Sequence, residues 1–190
     1  MRSPSTPATA PAPSQLDAWL AAEAAVRDSH KRHGASAGVA AHEVVLALDG
    51  LTLMQRNLSG ELPHAAIAET LDFLLVEVER GRAVFQGAPG PRHLNPMGGI
   101  HGGWYATLLD SALGCAVHTM MPVGRAYTTA ELSVNLVKAI PPALARVRAE
   151  GRVLHCGRQL ATAEARLVGP DGTLYAHGTT TCLVFEMPAR

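Results

Sequence analysis

Apolar and polar residues alternate with a period of two along much of the second half of the chain. The alternation is clearest in residues 131–136, 145–150 and 161–167. Successive side chains of a strand point to opposite faces, so each segment is predicted to be a strand with one covered face and one wet face. A last strand is predicted from about Leu174 to Phe185. The segments that connect the strands contain residues that favour turns: Pro141-Pro142, Cys156-Gly157 and Pro170-Asp171-Gly172.

Two further strands and one long apolar helix precede this region. The two strands are predicted at Leu71–Val78 and Ala83–Gln86. The residues between them, Glu79-Arg80-Gly81, indicate a hairpin. The helix is predicted from Ile100 to Met120 and is the one long apolar helix available to cover a sheet. Strands and helices do not alternate, which makes a doubly wound sheet improbable. The pattern predicts an α+β fold, with an antiparallel sheet of about five to six strands wrapped around one central helix.

The first third of the chain has helical rather than alternating patterns. From Ser14 to about His33 the apolar positions follow a helical period, with Ser14 as N-cap and Gly34 as terminator. A second helix is predicted from Asp49 to Ser59, and a third short one near Pro63. These helices are expected to pack outside the sheet domain.

Three regions follow from these patterns. Residues 1–14 carry four prolines among Ala, Ser and Thr, a composition typical of a disordered tail. Residues 15–60 form a predicted helical N-terminal extension, and residues 61–190 form the main domain. A chain of 190 residues is suited to one domain with such an appendage.

Composition excludes several classes of partner. The formal net charge is zero and the arginines are scattered, so neither nucleic acid nor an acidic membrane surface is expected to bind. No apolar run approaches the length of a membrane span, and the N-terminus lacks the apolar core of a secretory signal. Cys115, Cys156 and Cys182 are odd in number and far apart. They suggest neither a disulfide framework nor a metal site, and we expect a reducing, cytoplasmic compartment.

The candidate chemistry lies where a glycine-rich loop enters the central helix. The segment His93-Leu-Asn-Pro-Met-Gly-Gly-Ile-His-Gly-Gly leads to a mid-helix carboxylate, Asp110. Backbone N–H groups at a helix N-terminus can stabilise an oxygen that becomes negative. A lone mid-helix Asp can equally pair with an arginine or cap a neighbouring backbone. The stripe of Gly103, Thr107 and Gly114 beside Asp110 would let a ligand or a second chain approach closely.

Helix geometry separates the two chemical groups. Gly102 and Asp110 are eight residues apart, about 12 Å along a helix axis. An acid and an oxyanion donor must both lie about 3 Å from one reacting carbonyl. The two groups are therefore expected to come from different subunits of a two-fold dimer with the helices side by side.

Two motifs carry a resemblance to a known family. Asn95-Pro-x-Gly-x-x-His-Gly-Gly, followed by Leu-Leu-Asp-Ser-Ala, resembles the PaaI-type acyl-CoA thioesterases of the hotdog superfamily. The segment from Tyr127 to Val137 is similar to their strand after the central helix. The resemblance covers roughly residues 50–185 and implies a hotdog fold for the main domain.

The resemblance also implies roles for the matching residues. Asp110 would be the nucleophile or the base that activates water, and the Gly102 N–H would hold the thioester oxygen. Asn95 would orient the carboxylate or the attacking water. Thr129 would supply the hydroxyl beside the acid. Because Thr128 directly precedes it, either of the two threonines could occupy this position.

Further residues are expected to take part in substrate binding rather than in catalysis. His101 and Gly103 at the helix entrance, with Thr128, are expected to contact the substrate. Arg158 is one of four cations that could meet the phosphates of coenzyme A, with Arg125, Lys138 and Arg152. No cofactor is expected, since coenzyme A is part of the substrate. His93 and His101 lack a third ligand at convincing spacing, so no metal is expected.

The expected product is a free acid, and the expected assembly is a homodimer or a tetramer of two dimers. Two other functions remain open. A hotdog dehydratase or hydratase would need a histidine base opposite the acid, for which His101 or His93 is available. A non-catalytic acyl-CoA sensor would keep the pocket without needing Asp110. The fold alone does not separate these functions.

Overall fold

The structure is a computed structural model that describes residues 14–188. The helices in that range are α1 (Gln15–His33), α2 (His42–Ala47), α3 (Gly50–Ser59), α4 (Ala66–Thr70) and α5 (Gly102–His118), with one 3₁₀ turn at Pro91–His93. The strands are β1 (Phe73–Glu79), β2 (Arg82–Gly87), β3 (Arg125–Leu136), β4 (Val147–Cys156), β5 (Leu160–Val168) and β6 (Leu174–Glu186).

One antiparallel sheet curves around the central helix. Its strand order is β1-β2-β4-β5-β6-β3, which leaves β1 and β3 as the edges. Helix α5 lies against the inner face and contacts every strand. Leu108, Leu109 and Leu113 of α5 are completely buried there, among small residues of β4 and β5. The predicted α+β architecture is confirmed.

The N-terminal helices begin and end largely where their capping residues predict. Ser14 and Asp17 form a capping box at the start of α1, and Gly34 ends it in the left-handed conformation. Asp49 accepts a hydrogen bond from the Thr52 amide at the start of α3. The predicted third helix begins at Ala66 rather than near Pro63. Helix α2 was not predicted, because it has only six residues and no side-chain cap.

Helix α1 covers the outer face of β2 and β4, which corrects the prediction that this face is wet. Arg148 of β4 is only 9% exposed, and its guanidinium lies 4.8 Å from the centre of the Trp19 ring. Glu23 of α1 accepts hydrogen bonds from Gln86 Nε2 at 2.7 Å and from Arg146 Nε at 2.6 Å. Burial alone would raise the pKa of Glu23, but these donors lower it to about 2. The helix is therefore held on the sheet by aromatic packing and paired charges.

Strand β3 is a long edge that the single chain leaves uncovered. Leu132 and Leu136 point to the same side as the buried Thr180 and Ala176, their partners in β6. They were predicted to be covered, yet they are 38% and 55% exposed. The physical reason is that β3 has a neighbouring strand on one side only, where it pairs with β6.

Some predictions about the ends of the chain are not tested. The predicted disordered tail, residues 1–14, lies outside the described residues except for Ser14. The division at residue 60 stays a prediction. Among the described helices, none combines the length and apolarity that crossing a membrane requires.

Replacing Trp19 by Ala should test how much α1 stabilises the domain. Trp19 is 6% exposed, so its loss should lower the free energy of unfolding by about 3–5 kcal/mol. Urea unfolding measures the change. Leu20→Ala, at an exposed neighbouring position, should change stability by only about 0.5 kcal/mol. Equal effects of the two substitutions would contradict the packing described here.

Candidate active site

His101 forms the entrance of the central helix. Its backbone is extended, and its Nδ1 accepts a hydrogen bond from the Gly103 amide at 2.9 Å. The His101 N–H donates to the His93 carbonyl at 2.7 Å, which ties the entrance to the 3₁₀ turn. The Gly103 N–H, which was predicted to contact the substrate, is therefore already hydrogen-bonded to His101 at the start of the helix. His101 therefore shapes this turn, and its expected contact with the substrate stays a prediction.

The Gly102 amide is the open donor at this helix end. Among residues 14–188, no group accepts a hydrogen bond from it. A Cβ at position 102 would lie 2.9 Å from Leu136 Cδ1, so the backbone approaches β3 closely. Gly102 lines an open groove of about 310 Å³ together with Asn95, Leu136 and Lys138. An anionic oxygen in this groove could reach the Gly102 amide.

Asn95 shapes the loop that forms one wall of the groove. Its Oδ1 accepts hydrogen bonds from the amides of Met97 at 2.9 Å and Gly99 at 3.2 Å. The turn needs a left-handed residue, which Gly98 supplies with φ of 83°. The Asn95 side-chain Nδ2 donates to no group in the described part of the chain. It therefore keeps its N–H groups for a ligand.

Asp110 lies half-buried in the middle of α5 and faces β3. The Thr129 hydroxyl donates to Asp110 Oδ1 over a long distance of 3.5 Å. Burial raises the pKa of Asp110, and the hydrogen bond from Thr129 partly opposes that shift. Within residues 14–188 no cationic side chain forms an ion pair with Asp110, so the structural alternative of an arginine pair is not realised. The carboxylate is unneutralised and poorly solvated.

The structure decides which threonine lies beside the acid. Thr129 is paired with the buried Cys182 of β6 and therefore points to the inner face. Thr128 is paired with the exposed Leu183 and points to the outer face. Thr129 thus lies beside Asp110, as expected, and its catalytic role stays a prediction. Thr128 lies away from the carboxylate.

Three residues near Asp110 were missed by the sequence analysis. Tyr127 packs its hydroxyl against Gly114, where a Cβ would lie only 2.5 Å away. Burial raises the pKa of Tyr127, with further contributions from Cys115, Cys182 and Asp110. Tyr127 could have been found, because it lies two residues before Thr129 on the same side of the strand. The cysteines could not be found in the same way, because it is the pairing of β6 with β3 that brings Cys182 close to Asp110.

Other predicted residues lie apart from the carboxylate. Arg158 is in the β4–β5 turn, where its carbonyl accepts a hydrogen bond from Arg125 at the start of β3. His93 is buried and stacks on Trp104 with ring centres 5.2 Å apart. In the described part of the chain, no three His, Cys, Asp or Glu side chains are arranged to hold a metal ion.

The candidate site thus consists of two separate halves in one chain. One half holds the Asn95 amide and the Gly102 N–H in the open groove. The other half holds the Asp110 carboxylate with the Thr129 hydroxyl. The eight-residue spacing on α5 keeps them about 12 Å apart along the axis. A single chain cannot place both on one reacting carbonyl.

Comparisons with known proteins agree with this fold. A sequence model described as the thioesterase superfamily matches residues 97–176. A curated protein of Halobacterium salinarum, provisionally named as an esterase, is 35% identical over 82 residues. That match covers 43% of this chain and 54% of the relative, so the chain spans about half the length of this relative.

Solved structures extend the similarity over more of the chain. The phenylacetic acid degradation protein PaaI of Thermus thermophilus, solved as a mutant, is 27% identical with a TM-score of 0.55. The match covers 62% of this chain and 96% of that one. A thioesterase family protein of Silicibacter pomeroyi is 26% identical with a TM-score of 0.58, covering 64% and 90% of the two chains. The protein has the hotdog fold, and its residues 97–176 match the thioesterase superfamily, which confirms the resemblance.

Replacing Thr129 by Val should raise the pKa of Asp110. The hydroxyl stabilises the ionised carboxylate, so its loss favours the protonated form. An NMR titration of the Asp110 side-chain carboxyl carbon measures the shift. Thr128→Val, a matched change on the outer face, should leave this titration unaltered. A lower pKa in Thr129→Val would contradict the assigned contact.

Proposed function

We propose that this protein hydrolyses an acyl-CoA thioester to a free acid and coenzyme A, in active sites shared between two subunits. The observation that carries the proposal is the half-buried, unpaired carboxylate of Asp110 on the central helix of a thioesterase-superfamily fold. The open Gly102 amide supports it, because thioester hydrolysis needs a donor for the carbonyl oxygen.

The proposed chemistry needs only these few groups. A thioester carbonyl is electrophilic and a thiolate leaves readily, so a strong general acid is dispensable. The Gly102 N–H would stabilise the oxyanion, and one such donor is typically worth about 3–4 kcal/mol. Ionised Asp110 would take a proton from the attacking water, or attack the carbonyl itself to give an anhydride that water then hydrolyses. General base help contributes on the order of 10²–10⁴-fold.

The proposed dimer follows from the exposed edge strand. A long uncovered edge such as β3 is a ready surface for pairing with a second chain. Leu132 and Leu136 on its inner side would become buried, and Leu136 already lies beside Gly102. A two-fold axis with the α5 helices side by side would bring Gly102 of one chain towards Asp110 of the other. A homodimer, alone or as half of a tetramer, is the proposed functional unit.

The acyl-CoA assignment rests on the resemblance to PaaI-type thioesterases and on one cationic side chain. Lys138 lines the groove that holds Asn95 and Gly102, where it could attract an anionic substrate. The dehydratase alternative is less well supported. It needs a free histidine base, but His101 Nδ1 accepts from the Gly103 amide and His93 is buried against Trp104. A half-buried carboxylate whose pKa is raised by burial is more typical of a catalytic site than of a passive sensor.

Asp110→Asn should abolish thiol release from acyl-CoA substrates while the fold stays intact. The amide cannot act as base or nucleophile, so kcat/KM should fall by at least about 100-fold. A colorimetric assay of free thiol across a panel of acyl-CoAs measures the loss, and circular dichroism checks the fold. Asp171→Asn, the same change in an exposed turn, is the matched control and should retain full activity.

Three outcomes would contradict the proposal. Undiminished thiol release by Asp110→Asn would remove the carboxylate from the mechanism. Hydration of an enoyl-CoA by the unaltered protein, without thiol release, would favour the hydratase. Tight acyl-CoA binding without any turnover would favour the sensor.

A further inference from the structure

The groove at the entrance of the central helix contains a primary amine as well as hydrogen-bond donors. Lys138 lines this groove together with Asn95, Gly102 and Leu136, and Lys138 is exposed. The Gly102 amide is the proposed donor to the carbonyl oxygen of an acyl-CoA. A lysine amine that has lost its proton is itself a nucleophile for a carbonyl carbon. The groove therefore brings a second nucleophile, besides water, to the proposed position of the thioester.

The backbone that carries Lys138 is fixed beside the groove. The Lys138 amide donates to the Tyr175 carbonyl of β6 at 3.0 Å. Two residues further on, the amide of the buried Ile140 donates to the Tyr105 hydroxyl of α5 at 2.7 Å. Tyr105 follows Gly102 by three residues on the same helix. These two hydrogen bonds therefore hold the lysine close to the end of α5 that presents the open amide.

The Lys138 ammonium group is not engaged by an acid. Within residues 14–188 it forms no ion pair and donates no hydrogen bond. Asp171 is close enough for its pKa to respond to this charge: hydrogen bonds from Thr173 lower that pKa most, and Lys138 adds to the shift. The Lys138 side chain can therefore turn into the groove without giving up a contact with the protein.

We propose that an acyl-CoA bound in this groove acylates Lys138, so that the protein modifies itself with the acyl group of its own substrate. The amine, after giving one proton to solvent, attacks the thioester carbonyl carbon while the Gly102 N–H holds the carbonyl oxygen. The C–N bond forms and the C–S bond breaks. Coenzyme A leaves as a thiolate and takes up the proton that the new amide nitrogen releases. The inference rests on the proposed binding of acyl-CoA in the groove, and the acylated side chain loses its positive charge.

The chain contains its own control, because Lys31 and Lys138 are its only lysines. Lys31 is also exposed, but it lies on α1 and lines a different groove with Arg27, His30 and Asp72. Neither Gly102 nor Asn95 lines that groove. No part of the proposed active site lies there, so the acylation of Lys31 measures the reaction of an exposed lysine without the help of the site.

Mass spectrometry of the two lysine-containing peptides tests the proposal on the full chain. Acetyl-CoA should acetylate Lys138 at least about 10-fold faster than Lys31, because the groove holds the two reactants together. The difference should persist in Asp110→Asn, which should spare the thioester from hydrolysis. Excess free coenzyme A should slow the reaction at Lys138 alone, and so should Gly102→Pro, which lacks the amide donor. The N-hydroxysuccinimide ester of acetic acid, which needs no binding site, should acetylate both lysines at rates within about threefold.

The outcomes separate this inference from the proposed function. Equal acetylation of the two lysines by acetyl-CoA, or none at Lys138, would overturn the inference, and catalytic thiol release would then leave the hydrolysis standing. A fast reaction at Lys138 that neither coenzyme A nor Gly102→Pro slows would also overturn it. Preferential acetylation of Lys138 without catalytic thiol release would support the inference and contradict the hydrolysis. If Gly102→Pro does not fold, as judged by circular dichroism, the competition with coenzyme A decides alone.

Discussion

The rigid spacing along the central helix is the constraint on which the rest of the proposed site depends. Gly102 and Asp110 are fixed about 12 Å apart, because the hydrogen bonds of α5 do not allow the helix to shorten. Each end nevertheless has the features of half an active site: an unengaged amide beside Asn95, and a desolvated carboxylate beside Thr129. The exposed inner side of β3 lies between these halves and supplies the surface through which a second chain would complete them.

The N-terminal helices contribute to the domain in two different ways. Helix α1 lies on the outer face of the sheet, where Trp19 and Glu23 are buried against β2 and β4. Helices α3 and α4 lie at the inner side and line a pocket that reaches Cys115. These helices precede the segment that matches the thioesterase superfamily, residues 97–176.

Local patterns predicted the fold better than they predicted the environment of the site. The strands, the central helix and the caps at Ser14 and Asp49 follow from short-range periodicity and turn chemistry. The burial of Arg148 could not be predicted, because it depends on α1 docking from far away in sequence. Asp110 and Gly102 were found by their motif, but the choice of Thr129 over Thr128 and the pocket that reaches Cys115 depend on strand register and tertiary packing.

Mixing two inactive variants tests the shared site most directly. Asp110→Ala lacks the carboxylate, while Gly102→Pro lacks the amide and keeps a residue that suits the first helical position. Random exchange of subunits should restore about a quarter of the activity, because half the dimers are mixed and each has one intact site. Gly102→Ala, which keeps the N–H, should remain active. Mixed dimers that native mass spectrometry detects but that show no activity would contradict sites shared between chains.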